Sequence, residues 1–178
     1  MSTHPITEEL LSGTLVREPV GNEQGYWSGA PGWTWDETDQ AAYVCYRIRR
    51  PRGVEPDRGG ESRIAKTTDF KKFEDVWAVQ KSAYNSASIE KSTLKRGLDG
   101  RWRYFTSYVA PEDGRWCTTI NKADSVESLD PANTQRLFTA TDFDLEGVKD
   151  PWLIDVNGTY HLFLSVAINT ASTNDSSH

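Results

Sequence analysis

The sequence predicts an all-β protein, and three observations support this fold class. Short runs rich in β-branched and aromatic residues alternate with turn signals along most of the chain. Helical periodicity, in which apolar residues recur every three or four positions, is scarce after residue 25. The pattern of strands and turns also repeats at a spacing of about 60 residues. Together these features are typical of a protein built from repeated β-hairpins.

The strand character of the chain is concentrated in short runs that follow one another closely. In chain order they are AAYVCYRI, SRIAKTT, VWAVQ, WRYFTSYV, WCTTIN, RLFTAT, PWLIDV and TYHLFLSV. The last two runs are joined by Asn157 and Gly158, residue types that tolerate the positive φ angles of a tight hairpin turn. A β-hairpin is therefore predicted across this dipeptide.

The internal repeat indicates how these strands are grouped. Residues Asp99 to Tyr108 (DGRWRYFTSY) align with Asn157 to Val166 (NGTYHLFLSV), and a fainter copy (DQAAYVCYRI) begins at Asp39. Each copy supplies about four strands in about 60 residues, which is the size of one blade of a β-propeller. The fold predicted is a partial β-propeller of about two and a half four-stranded antiparallel blades. It covers residues 26–166, between a polar leader (1–25) and a polar tail (167–178).

Composition and charge exclude several classes of function. The chain has 178 residues, 37% hydrophobic and 26% charged, which suits one globular domain. Its net charge of −6 argues against nucleic-acid binding. No apolar run approaches the roughly 18 residues that span a bilayer, so no membrane association is predicted. The first residues lack the basic and apolar regions of a secretory signal, and we expect a cytoplasmic location.

The cysteine and histidine content predicts no cofactor and no metal site. Cys45 and Cys117 each lie in a strand-like run, and buried free thiols are favoured over a disulfide framework. No cluster of His and Cys with metal-ligand spacing is visible, and no glycine-rich phosphate loop occurs.

One residue pair recurs at constant spacing on the first strand of each repeat. The pairs are Ala30-Pro31, Glu90-Lys91 and Asp150-Pro151, separated by 60 residues each time. In a propeller the first strands line the central channel, so these positions are predicted to converge on the axis. The alternative is that Asp-Pro only marks the start of a strand, a position where proline is tolerated.

Two motifs resemble those of a known group of enzymes. SRIAKTTDFKKFED, which begins at Ser62, and GVKDPWLIDVNGTYHLFLS, which begins at Gly147, resemble the five-bladed β-propeller glycosidases. These include arabinanases, β-xylosidases and arabinofuranosidases of glycoside hydrolase family 43 and, more distantly, invertases and levansucrases. In that family three acids on separate blades share catalysis: a general base, a second Asp often followed by Pro, and a general-acid Glu. One carboxyl protonates the leaving oxygen while another activates water.

The resemblance carries over to this sequence only in part. Asp150, followed by proline, matches the second acid of the family. Ala30 stands where the general base would lie, which is a departure from the family, and the candidates for a displaced base are Asp36 and its neighbour Glu37. The alternative for Asp36 is a solvated turn. No Glu occurs after Glu146, so the general acid of the family has no counterpart in this chain.

The remaining candidate residues complete a predicted sugar site. Glu90 is a third candidate catalytic acid, or binds sugar hydroxyls; its alternative is an exposed ion pair with Lys91 or Lys95, which contributes little to stability. The other candidate substrate-binding residues, for which core packing or solvation of the rim are the alternatives, are Trp33, Trp35, Trp152 and Lys149.

The resemblance implies a glycoside hydrolase-like protein. It would hydrolyse O-glycosidic bonds of plant or microbial oligosaccharides by an acid/base carboxylate mechanism that is incomplete in this chain. The alternatives are a non-catalytic carbohydrate-binding propeller and an inactive fragment. We expect the chain to be the N-terminal part of a longer propeller, or to self-associate through exposed blade edges.

Overall fold

The computed structural model describes Gly13 and residues 15–168, and this part of the chain is all-β, with no α-helix. The leader and tail predicted from the sequence lie largely outside the described residues. The strands are β1 (Trp27–Asp36), β2 (Ala41–Arg49), β3 (Glu61–Thr67), β4 (Glu74–Gln80), β5 (Ile89–Arg96), β6 (Trp102–Val109), β7 (Trp116–Ala123), β8 (Gln135–Phe138), β9 (Gly147–Val156) and β10 (Thr159–Ala167). Three short 3₁₀ turns lie at Lys81–Tyr84, Pro131–Asn133 and Thr141–Phe143. None of the helical turns in these ranges is long and apolar enough to cross a membrane.

The first sheet is a four-stranded antiparallel meander in the order β1-β2-β3-β4. Nearly every residue of β2 is buried, which agrees with its almost continuous run of apolar residues, since a strand covered on both faces loses the usual alternation. Pro51 follows the end of β2, and proline cannot donate the hydrogen bond that would extend the ladder.

The second sheet joins six strands, so it differs from the separate third blade that the repeat predicted. Strands β5 to β8 form a second meander, but β9 is attached to β7 by one parallel pair, Trp116 opposite Gly147. The order is β10-β9-β7-β6-β5, with β8 paired to β7. The predicted hairpin is confirmed: Asn157 and Gly158 both have positive φ and connect β9 to β10. The described residues form no closed sheet.

The hydrophobic core lies between the two sheets. Tyr43, Cys45 and Ile64 of the first sheet pack in one cluster with Leu94, Trp102 and Tyr104 of the second. Tyr43 meets Trp102 edge to face, with ring centroids 4.7 Å apart, a geometry that aromatic pairs favour. Because this core takes side chains from both sheets, neither sheet buries its apolar face alone.

A buried chain of hydroxyl groups crosses the same interface. The Tyr104 hydroxyl shares hydrogen bonds with Ser62 of the first sheet at 2.9 Å and with Ser92 of the second at 2.8 Å. Ser92 also shares one with Thr106 at 2.9 Å. Burial raises the pKa of Tyr104 to about 12, so its hydroxyl stays protonated. We call these four residues the hydroxyl network.

The first strands of the repeats lie side by side. Strand β1 contacts β5, and β5 contacts β9. The approach of β1 to β5 is close at Gly32, where any Cβ atom would collide with the Ser92 carbonyl oxygen. Glycine at position 32 therefore lets β1 and β5 approach each other closely.

The outer strand of the last hairpin has no neighbour beyond it among the described residues. Strand β10 pairs only with β9, and Phe163 on β10 is 56% exposed. An edge strand with an exposed aromatic side chain is a surface on which another chain can add.

Candidate functional site

The first strands of the three repeats, β1, β5 and β9, carry the same irregularity at the same place in the repeat. In each strand the ladder skips two residues: 30–31 in β1, 90–91 in β5 and 150–151 in β9. The partner strand offers one residue opposite each pair, which defines a β-bulge. The 60-residue spacing found in the sequence is thus a spacing of bulges.

The backbone at two of these bulges is left-handed. Ala30 has φ of 52° and Asp150 has φ of 57°. Such a conformation is uncommon for residues other than glycine. A bulge redirects the side chain that it contains, and both left-handed residues are followed by a proline, which fixes the next φ.

The bulges open onto one cavity, which we call the bulge cavity. Its volume is about 510 Å³. It brings together Ala30, Glu90 and Asp150, one from each repeat. The other lining residues are Lys91, Trp152, Phe163, Leu164 and Ser165. Three residues spaced 60 apart in sequence therefore meet at a single concave surface.

A buried arginine interacts electrostatically with both acids that line the cavity. Arg47 of β2 is 6% exposed and forms an ion pair with Glu90. Burial lowers the pKa of Arg47 to about 10, while the charge of Asp150 acts in the opposite direction. The guanidinium therefore remains protonated at neutral pH and lies within electrostatic reach of both acids of the cavity.

The ion pair that the sequence suggested for Glu90 is wrong in its partner. Neither Lys91 nor Lys95 pairs with Glu90; Arg47 does. The Lys91 ammonium instead lies over the ring of Trp152, 4.8 Å from its centroid, within the range of a cation–π contact. Because Arg47 is buried, the Arg47–Glu90 ion pair is also less exposed than the surface pair with Lys91 or Lys95 that the sequence suggested.

The arrangement suits a ligand with hydroxyl groups and a flat face. The carboxylates of Glu90 and Asp150 can accept hydrogen bonds from hydroxyls, and Ser165 can donate or accept. Trp152 and Phe163 supply aromatic surface for the apolar face of a ring. A concave site with aromatic walls and a few polar groups is the usual form of a small-molecule site.

The other predicted site residues lie outside the bulge cavity. Asp36 is buried at the far end of β1, where its carboxylate accepts a hydrogen bond from Arg96 at 2.9 Å. Trp33 is 56% exposed, and Trp35 stacks on Phe70 with centroids 5.9 Å apart. The solvated turn that was the alternative for Asp36 is therefore a buried ion pair instead. The roles predicted for these residues stay predictions.

Lys149 lies next to the bulge of β9 but faces a different side chain. Its ammonium is 5.3 Å from the ring centroid of Trp116, and it is not among the residues that line the bulge cavity. Trp116 lines a neighbouring cavity that shares Glu90 with the first. Lys149 thus belongs to the surroundings of that second cavity.

Sequence reasoning missed Arg47, the residue that holds Glu90. One signal was available. Arg47 interrupts the apolar run of β2, and a charged residue in a strand buried on both faces needs a partner of opposite charge. The identity of that partner was hidden, because Glu90 lies in the other sheet.

The two cysteines are free and buried, as predicted. Burial raises the pKa of Cys117 to about 11 and also raises that of Cys45, so neither thiol is a reactive thiolate at neutral pH. Within the described ranges, no group of three or more His, Cys, Asp or Glu side chains could hold a metal ion.

The fold is similar to that of two solved structures. The chain is similar to the solved structure of an aspartate-to-alanine mutant of an α-L-arabinanase from Cellvibrio cellulosa, with a TM-score of 0.59 and 14% sequence identity. It is also similar to a glycosyl hydrolase from Bacteroides ovatus, with a TM-score of 0.52 and 15% identity. In both cases 85% of this chain is covered, and the chain spans about half, 52%, of the other protein.

At these identities the likeness concerns the fold alone. No protein-family profile matches the sequence, and no curated protein sequence matches it. The glycosidase-like fold that the two sequence motifs implied is therefore supported by structure, while activity is a separate question.

Proposed function

We propose that this chain forms one side of a β-propeller of the glycoside hydrolase type and that the bulge cavity is part of its central funnel. Two antiparallel meanders followed by a further hairpin agree with two blades and the inner half of a third. The contacts of β1 with β5 and of β5 with β9 support a fan of inner strands around one axis.

We further propose that the bulge cavity binds an oligosaccharide. The observation that carries this proposal is the meeting of Ala30, Glu90 and Asp150 in one cavity through three equivalent bulges. Strained backbone positions persist where the structure over-determines them, and they cluster at functional sites. Trp152 would stack on one sugar ring, and the two carboxylates would accept hydrogen bonds from its hydroxyls.

In this proposal the chain binds sugar without cleaving it. By the family resemblance the general base would lie at position 30, where the methyl group of Ala30 cannot activate water. Asp150 keeps the position of the acid that orients the substrate, and Glu90 is held by Arg47. Hydrolysis of O-glycosidic bonds would also require a carboxylate in the role of the general base. Among the described residues that line the cavity, only Glu90 and Asp150 carry a carboxylate, and neither has that role in this proposal.

The proposal is tested by calorimetric titration of the chain with xylo- and arabino-oligosaccharides. We expect Trp152→Ala and Asp150→Asn to weaken binding, the first by between about two- and tenfold, as loss of an aromatic contact implies. Near-ultraviolet circular dichroism would show that both variants fold. Trp33→Ala is the matched control, because Trp33 is exposed and lies outside the cavity.

Two results would contradict the proposal. If Trp33→Ala or Trp35→Ala weakened binding while Trp152→Ala did not, the sugar would lie at these two tryptophans of β1, which were also predicted to bind substrate, and not in the bulge cavity. If no oligosaccharide in the panel bound at all, the bulge cavity would not be a carbohydrate site.

A further inference from the structure

A second cavity lies against the bulge cavity and is rich in arginine. Its volume is about 260 Å³, and Glu90 lines both cavities. The other residues that line it are Arg52, Asp57, Arg58, Ala87, Ser88 and Trp116. We call it the arginine cavity. Arg52 and Arg58 belong to the loop between β2 and β3, whereas Trp116 begins β7.

The two acids of the arginine cavity already have partners. Asp57 accepts a hydrogen bond from the Lys81 ammonium at 2.5 Å, and Glu90 is paired with Arg47. The hydrogen bond from Lys81 and the nearby charge of Arg52 contribute to a lowered pKa of Asp57. Both carboxylates are therefore paired with cations, Arg47 and Lys81, that do not line the cavity.

Among the described residues, neither Arg52 nor Arg58 forms an ion pair, although the charge of Arg52 acts on Asp57. Arg49 lies beside them, and its Nε atom is buried without a hydrogen-bond partner, as is that of Arg47. Both Arg47 and Arg49 pack on the face of Trp27, at 5.4 and 5.7 Å from its centroid, which compensates their charge only in part.

Mutual repulsion among these guanidinium groups contributes to lower pKa values of Arg47 and Arg49. The pKa of Arg49 is lowered by burial and then by the charges of Arg58 and Arg52. Arg58 and Arg49 also lower the pKa of Arg47 after burial. Like charges held close together are unfavourable unless an anion binds between them. This local excess of positive charge occurs in a chain whose net charge is −6.

We infer that the arginine cavity binds the negatively charged substituent of an acidic oligosaccharide, a carboxylate or a sulfate ester. This inference rests on the proposed function of the adjoining bulge cavity. A planar guanidinium fork matches an anionic oxygen pair with two parallel hydrogen bonds. The Trp116 ring, covered on one side by the Lys149 ammonium at 5.3 Å, supplies an aromatic wall for the sugar that carries the charge.

The shared residue explains why the ligand is a sugar and not a free polyanion. Because Glu90 borders both cavities, one oligosaccharide can place a neutral ring at Trp152 and its charged substituent at Arg58. A nucleic acid would meet the acidic remainder of the surface, which is unfavourable. The arginine cavity therefore selects for charge, whereas the bulge cavity recognises the sugar ring.

The test compares pairs of oligosaccharides that differ only in their charged group. Xylotriose with and without one glucuronate substituent forms the first pair, and xylotriose with and without one sulfate ester forms the second. Affinities are measured by calorimetric titration of the chain. We expect at least one charged member to bind about tenfold more tightly than neutral xylotriose, as a charge-assisted hydrogen bond implies. The advantage should shrink as salt is raised.

Substitutions then locate the charged group. Arg58→Gln and Arg52→Gln should each remove most of the preference for the charged member and leave the affinity for neutral xylotriose unchanged. Arg58→Lys should retain part of it, since the charge is kept but the fork is lost. Arg101→Gln is the matched control, because Arg101 is a surface arginine paired with Asp124 at 2.9 Å. The Trp116 indole resonance should shift only with the charged member.

The possible results separate this inference from the proposed function. Equal affinity for charged and neutral members would overturn the inference and leave the carbohydrate site intact. Binding of neither member would overturn both. If inorganic sulfate bound through Arg52 and Arg58 while no oligosaccharide did, the cavity would be an anion site, and its assignment to a sugar would be wrong.

Discussion

The ion pair between Arg47 and Glu90 predicts that Glu90→Gln destabilises the fold. The substitution removes the charge opposite a guanidinium that is 6% exposed. Breaking a fully buried pair costs about 3–5 kcal/mol because the remaining charge stays desolvated. The Glu90 side chain is 24% exposed, and Asp150 still attracts Arg47. We therefore expect the free energy of unfolding to fall by about 2 kcal/mol, below that range.

Urea unfolding followed by tryptophan fluorescence measures this loss. A double-mutant cycle with Arg47→Met isolates the pair, since Glu90→Gln should cost much less once the guanidinium is gone. The matched control is Glu112→Gln, whose ion pair with Arg136 is exposed on both sides and is worth less than about 1 kcal/mol. If Glu90→Gln cost no more than Glu112→Gln, the view of Arg47 as a buried charge that depends on Glu90 would be refuted.

Further predictions address other parts of the molecule. Hydrogen bonds from the Arg103 guanidinium and the Arg101 amide lower the pKa of Asp99 to about 2. Arg103→Gln should raise this pKa towards the usual value of about 3.9, as measured by NMR of the carboxyl group. An unchanged pKa would contradict the assigned cause. Because the β10 edge is exposed, we expect the chain to self-associate, as measured by light scattering. Phe163→Lys should reduce this association, whereas the control Leu98→Lys at a turn should not. A monomer at all concentrations would refute this prediction. The chain should release no product from aryl arabinosides or xylosides, and turnover that Asp150→Ala abolishes would show the opposite.

The acid response of the fold follows from the carboxylate of Asp75. Burial alone would raise its pKa, but hydrogen bonds from Tyr46 and Arg17 bring it below the usual value. A depressed pKa in the folded state stabilises the protein above the unfolded-state value of about 3.9, and this contribution is lost as pH falls through the folded-state value. Asp75→Asn should therefore destabilise the chain at pH 7 and flatten the loss of stability below about pH 4.

The repeat made the meeting of positions 30, 90 and 150 predictable, whereas the β-bulges at these positions were found only in the structure. The bulges comprise residues 30–31 in β1, 90–91 in β5 and 150–151 in β9. Their spacing of 60 residues is constant in the sequence although the residue types differ. The meeting of Ala30, Glu90 and Asp150 in one cavity agrees with that spacing, because they occupy equivalent positions on strands that contact one another, β1 with β5 and β5 with β9. The Asn-Gly hairpin was predictable for a local reason, since the positive φ angles of the turn restrict its residue types.

Contacts between the sheets could not be predicted in the same way. Arg47 and Glu90 are 43 positions apart and belong to different sheets, so no local pattern links them. Asp36 illustrates the same limit, because its partner Arg96 lies in β5. The attachment of β9 to β7 by one pair depends on how the third repeat packs, which strand patterns do not encode.

The hydroxyl network has a consequence for how the molecule comes apart. Ser62 lies in one sheet, whereas Ser92, Tyr104 and Thr106 lie in the other, and all four are sealed from water. Unfolding of one sheet alone would leave buried hydroxyl groups of the other sheet without hydrogen-bond partners, which is unfavourable. The two meanders should therefore unfold as a single cooperative unit, and the amide hydrogens of both sheets next to these hydroxyls should exchange with the same free energy of opening.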